Sequence, residues 1–203
     1  GVVFMILTIF IFSIMNATAK GFATYYPIIE VVWVRYLSQT VFTTLIFLPN
    51  LNNIVKTRKI KLHLFRSLLL FCATISMFSG FKYLTLVSTI TIFQIGPLVI
   101  VVFSVIFLKE TVGYRRWISV IVGFSGALLI LKPGTDMFSV FGFFPILAAI
   151  FYAGYAVSTR RLGTEEDPQT NFFYTSLVGT LISTIILIPF FEPIAIKDLF
   201  LFS

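Results

Sequence analysis

What constrains this chain most is the recurrence of long apolar runs from one end to the other. The run PLVIVVFSVIFL, starting at Pro97, has no polar face at either the helical or the strand period. A bilayer-spanning helix needs about 20 largely apolar residues. Windows bounded by charge, proline or glycine fall at residues 2–19, 27–48, 64–83, 87–108, 117–131, 138–157 and 170–190, the fifth being short. Spanning strands would alternate apolar and polar positions, so helices are the remaining way to satisfy the backbone in lipid. The chain has 11% charged residues, against about a quarter in soluble domains, which leaves no material for a solvated surface. The expected fold class is therefore an all-α integral membrane protein, a polytopic helix bundle. A single anchor carrying a globular head is excluded, because the 25 phenylalanines are spread throughout.

A net charge of +7 would suggest a nucleic-acid partner only if the cations formed a patch on a soluble face, and here they sit in short loops. No nucleic acid is expected; the bilayer is the partner. Alternate loops carry Lys56, Arg58, Lys59, Lys61 and Arg66, then Lys109, Arg115 and Arg116, then Arg160 and Arg161, whereas the opposite loops hold Lys20, Lys82, Lys132 and Lys197. The positive-inside bias puts the first set, and the N-terminus, in the cytoplasm. Cys72 is the one cysteine, so no intramolecular disulfide forms, and it reads as an inert buried thiol. The chain opens at Gly1 directly on an apolar run without a basic n-region, so no signal peptide is read and a truncated N-terminus is expected.

Sliding the chain so that Gly1 meets Gly142 also sets Ile9 on Ile150, Phe10 on Phe151, Thr18 on Thr159, Lys20 on Arg161 and Pro27 on Pro168. Five spans separate the two copies, an odd number, so the second enters the membrane from the opposite side. That is the inverted-topology repeat of many secondary transporters.

Several features of the chain resemble an EamA repeat of the drug/metabolite transporter superfamily. They are Pro97 within the fourth span, the Leu108-Lys109-Glu110 close of that span, the Arg116-Trp117 pair, Gly123 and Gly126 in the fifth span, and the closing Pro133-Gly134. Glu30 and Arg35 in the second span also fit the pattern. The resemblance implies ten helices in two inverted five-helix repeats with a substrate cavity between them. Residues 1–134 would then form the first repeat and residues 138–203 two helices of the second, so the length is expected to record a truncation. The activity implied is that of a permease moving a small metabolite such as an amino acid, a nucleoside-like compound or an amine, with proton coupling an open option. Taken with the orientation, the expected location is the bacterial inner membrane.

Arg35 is the sharpest single residue, about three positions from the middle of its span. An arginine there costs about 2.5–3.5 kcal/mol on insertion scales, offset by roughly 5 kcal/mol from the apolar residues around it. Glu30 lies about 7.5 Å along the axis and about 140° around it, poor geometry for a direct pair. Arg35 is thus either an interhelical tether or a substrate-facing group, with Glu30 structural or gating. Asn16 and Lys20 share a helix face one turn apart; they either bond a neighbour and snorkel to the interface, or offer an amide and a cation to substrate. Gln94 and Pro97 share a face of the fourth span, and Pro97 frees a carbonyl tolerated only against protein or a water-filled cavity. They are expected to line the cavity, with Gly96 admitting a neighbouring backbone. Tyr152 and Tyr155, with Trp33, are aromatic faces for a planar or cationic substrate or else interfacial belts. Gly123 and Gly126 suit close helix packing. His63 reads as a lone loop histidine without metal partners, and Glu165, Glu166 and Asp167 as a solvated turn.

No phosphate loop, nucleophile elbow or paired intramembrane carboxylate appears, so neither an enzyme nor a cofactor is indicated. The alternative is a non-transporting multispan protein, either a structural subunit or a seven-helix receptor. A retinal protein would need a lysine in the last span, and residues 170–190 contain none.

Overall fold

The computed structural model describes residues 2–57, 59–111, 113–131, 140–163 and 166–190. Among these, every regular element is helical: α1 (Val2–Tyr25), α2 (Ile28–Phe47), α3 (Leu51–Ile54), α4 (Ile60–Tyr83), α5 (Leu86–Phe93), α6 (Gly96–Leu108), α7 (Tyr114–Leu131), α8 (Phe143–Leu162) and α9 (Pro168–Leu187). Six stretches are long and apolar enough to cross a membrane, so the fold is an all-α polytopic membrane bundle. The short fifth span lies on α7, whose first turn is Tyr114-Arg115-Arg116 and whose apolar run begins at Trp117. The Pro133-Gly134 close of the resemblance, together with Arg58, Lys132, Glu165 and Lys197, lies outside the described residues.

Local chemistry sets the helix ends. Proline restricts the residue before it away from the helical region, and Pro27 accordingly separates α1 from α2. Thr85 caps α5 by accepting from the Ser88 amide at 3.2 Å, and Asp167 caps α9 by accepting from the Gln169 amide at 2.9 Å, with Pro168 at the first helical position. The fourth span is split. Gln94 and Ile95 separate α5 from α6, whose first turn holds Pro97, which has no amide hydrogen to give the Phe93 carbonyl. Lys109 ends α6 in the left-handed region at φ 54°, turning the chain so that Glu110 meets Arg160 on α8 at 3.1 Å.

In a bilayer, apolar surface gains little by leaving lipid, and association rests on close packing with small residues at interfaces. α4 is the central helix, packed most extensively on α8 and also against α9, α1 and α2. α8 brings small residues to its interfaces, Ala148, Ala149 and Ala153 each being fully buried. At Gly80 an added Cβ would lie 2.9 Å from Thr89 and 3.4 Å from Pro145, and at Gly154 3.2 Å from Leu69. α2 packs on α9, where the Tyr36 ring occupies the space beside Gly179. Ala19, Ala23, Val31, Val32, Phe71, Phe78 and Phe81 complete the core shared by α1, α2 and α4.

The first span was expected to end at Ala19 with Lys20 at the interface, but α1 runs on to Tyr25 because no helix breaker occurs before Pro27. Lys20 therefore sits within the helix. Its ammonium donates to the carbonyls of Phe81 and of Leu84, the latter at 2.6 Å, so it caps the C-terminal end of α4, where a cation suits the helix dipole. Replacing Lys20 by Met should lower stability by about 1.5–3 kcal/mol, the worth of hydrogen bonds from a charged donor, and leave substrate affinity at the wild-type level. Thermal unfolding in detergent alongside uptake checks both.

Candidate functional site

The second span delivers Arg35 to the interior of the bundle. Its guanidinium carbon lies 5.6 Å from the Phe78 ring centroid on α4 and 5.9 Å from that of Tyr36, within cation–π range. Among the described residues no hydrogen bond or ion pair engages it, and the side chain is only half-buried. Tyr36 beneath it is held firmly: 2% exposed, its hydroxyl 3.0 Å from the Thr74 hydroxyl and its ring 5.8 Å from Phe71. Glu30 is buried one and a half turns earlier in α2. Trp33 takes a different place, donating its indole N–H to Thr184 on α9 at 2.9 Å. Two turns later Thr40 meets Thr180 at 2.8 Å, so Trp33 stands in the polar seam between α2 and α9.

Tyr152 and Tyr155 on α8 lie with ring centroids 5.9 Å apart. The other ring neighbour of Tyr152 is Phe93 at 5.6 Å, the last residue of α5. Phe93 leads directly into Gln94 and Pro97. These two line a cavity of about 490 Å³ with Arg115, Ser119, Gly123 and Phe124 of α7. Arg35 over Tyr36 on α2 and the run from Tyr155 through Tyr152 and Phe93 to the Gln94–Pro97 break between α5 and α7 make up the candidate site. It offers a cation with free donors, phenol hydroxyls, an amide and aromatic faces, the groups that bind a flat or carboxylate-bearing small molecule. Among the described residues no cluster of three or more His, Cys, Asp or Glu comes together.

Other expectations fall elsewhere. Asn16 is buried on α1, one turn before Lys20. Gly96 is buried against α8, where an added Cβ would meet that of Ala149 at 3.9 Å. Among the described residues nothing lies within 4 Å of the Cβ positions of Gly123 and Gly126 on α7, and Gly123 stands at the cavity wall.

The largest departure is a network placed in loops from the sequence. His63 and Arg66 belong to α4, at 0% and 1% exposure. Arg66 donates to the Asn171 carbonyl at 2.6 Å, the Thr175 hydroxyl at 2.8 Å and the Thr159 hydroxyl at 3.3 Å, and its guanidinium carbon lies 5.2 Å over the Tyr155 ring. His63 stacks on Tyr174 at 4.9 Å with Nε2 3.5 Å from a Glu166 oxygen, whose other oxygen accepts from Thr57 at 2.8 Å. Glu166 and Asp167 are therefore not a solvated turn: one joins the α2–α4 connection to α9, and the other caps α9. A helical reading carried back through His63, Arg66–Ser67 and Thr74 would have put them on one buried face of α4, without naming their partners.

The sequence profile of the EamA-like transporter family matches residues 1–132. The chain is 28% identical over 188 residues to an S-adenosylmethionine uptake transporter of Rickettsia prowazekii, covering 90% of this chain and 62% of that protein. It is 32% identical over 100 residues to a riboflavin transporter of Vibrio cholerae, covering 49% and 34%, and 27% identical over 186 residues to the pseudopaline exporter CntI of Pseudomonas aeruginosa, covering 90% and 64%. The chain thus spans less than two thirds of the length of these relatives. No solved structure matches it.

Proposed function

The chain belongs to the EamA-like transporter family, and from that premise we propose that it forms part of a secondary transporter moving a small metabolite along the line from Arg35 to Gln94. The observation that supports this reading is that ring contacts run from Tyr155 through Tyr152 to Phe93, beside the cavity lined by Gln94 and Pro97, while Arg35 has no hydrogen bond or ion pair among the described residues. The substrate is a flat, ring-bearing compound with a carboxylate or other anionic group: the tyrosines stack on the ring and Arg35 takes the anion. Relatives named for S-adenosylmethionine, riboflavin and pseudopaline suit a metabolite of that size. Residues 1–134 act as one five-helix repeat and α8 and α9 as the start of an inverted second one, the two rocking about the α2–α9 and α4–α8 contacts to expose the path to either side. The basic loops support a cytoplasmic N-terminus in a bacterial inner membrane.

Uptake of radiolabelled metabolites by proteoliposomes of the full-length gene product tests this reading. Accumulation of a ring-bearing organic anion or zwitterion above protein-free vesicles is expected. No accumulation or counterflow of any amino acid, nucleoside or flavin would leave a structural membrane subunit instead.

A further inference from the structure

At the end of the bundle where α4 begins and α6 and α8 finish, a second concavity of about 400 Å³ runs between these three helices. Its wall is apolar, with Phe65 and Leu69 from α4, Phe103 and Phe107 from α6, and Phe151 from α8, and its mouth holds Arg161. It extends about 16 Å along α8 from Arg161 to Ile150, and about 10 Å along α4 from Leu62 to Leu69. That depth is close to half the roughly 30 Å hydrocarbon core, the reach of one acyl chain in one leaflet. Gly154 leaves room in the floor, since a Cβ there would press on Leu69 at 3.2 Å.

The two arginines closing α8 have different surroundings. Arg160 is taken by Glu110 at 3.1 Å. Arg161 is exposed, and no hydrogen bond or ion pair engages it among the described residues. Lys61 and Lys109, both exposed, adjoin the lining residues Leu62 and Leu108. A cationic mouth at interface depth above an acyl-sized apolar groove matches a phospholipid whose headgroup is anionic.

We propose that this groove is a specific site for an anionic phospholipid, with one acyl chain between α4, α6 and α8 and the headgroup phosphate on Arg161. The test is native mass spectrometry of the delipidated full-length protein given equal phosphatidylglycerol and phosphatidylcholine, with Arg161→Gln and Arg161→Lys alongside. Retention of phosphatidylglycerol is expected to exceed that of phosphatidylcholine at least 5-fold, to fall to parity in R161Q, and to survive in R161K, whose single charge still meets a phosphate. Arg161 makes no hydrogen bond or ion pair among the described residues, so R161Q should elute and unfold as the wild type does. Equal retention of the two lipids, an R161Q preference unchanged from wild type, or no retained lipid because another segment of the full-length protein fills the groove would each overturn the proposal. So would displacement of phosphatidylglycerol by soluble glycerol phosphate, which would mean a headgroup site without the groove.

Discussion

Replacing Arg66 by Met in the full-length protein should remove most of the folded material recovered from membranes. The side chain is 1% exposed, and two of its hydrogen bonds, to the Asn171 carbonyl and the Thr175 hydroxyl, are 2.8 Å or shorter. Bonds from a charged donor contribute about 1.5–3 kcal/mol each. Methionine fills much of the volume but restores none of them, leaving the Asn171 carbonyl without its interhelical donor. The expected loss is about 3–5 kcal/mol, a large part of the roughly 5–15 kcal/mol that holds a typical domain folded. Size-exclusion profiles and thermal unfolding in detergent measure it. Lysine should rescue only partly, because a single ammonium cannot span acceptors on both α8 and α9 as the guanidinium fork does. An R66M protein that unfolds at the wild-type temperature would show that the network contributes nothing to the packing of α4 on α9.

Arg35 should respond in the opposite sense. It makes cation–π contacts worth about 0.5–2 kcal/mol and, among the described residues, no hydrogen bond, while holding a guanidinium near mid-membrane costs about 2.5–3.5 kcal/mol. Arg35→Gln should therefore leave the unfolding temperature unchanged or higher. Uptake, by contrast, should fall roughly 30- to 100-fold, the equivalent of about 2–3 kcal/mol for a lost charge-assisted contact to substrate. This separates the two roles the sequence leaves open, since an interhelical tether would lose stability and uptake together. Stability and initial uptake rate measured on the same R35Q preparation decide between them.

The contrast between these two arginines marks how far the sequence could be read. Hydropathy locates the helices well because the bilayer imposes a length and a polarity on each span independently of its neighbours. It misplaces Lys20 because a charge ends an apolar window whether or not it ends the helix, and Arg66, inside the window 64–83, because it reads as one more of the loop cations. Lys20 is satisfied by carbonyls of α4 and Arg66 by acceptors of α8 and α9, partners distant in sequence that no local pattern discloses. Arg35 was legible because its cost at mid-span is a local property. The contact of Tyr152 with Phe93 was not legible in the sequence, because it depends on how α8 sits against α5.

The claim that the substrate path runs from Arg35 to Gln94 is tested most directly by cysteine accessibility in the full-length protein, with Cys72 replaced by Ser and any other native cysteine removed. Single cysteines at Gln94 and at Tyr152 should react with a membrane-impermeant, water-soluble maleimide and be protected by saturating transported substrate, while one at Phe10, on the exposed apolar face of α1, should stay unreactive. Cysteines at 94 and 152 that fail to label, or that label at the same rate with and without substrate, would contradict the account.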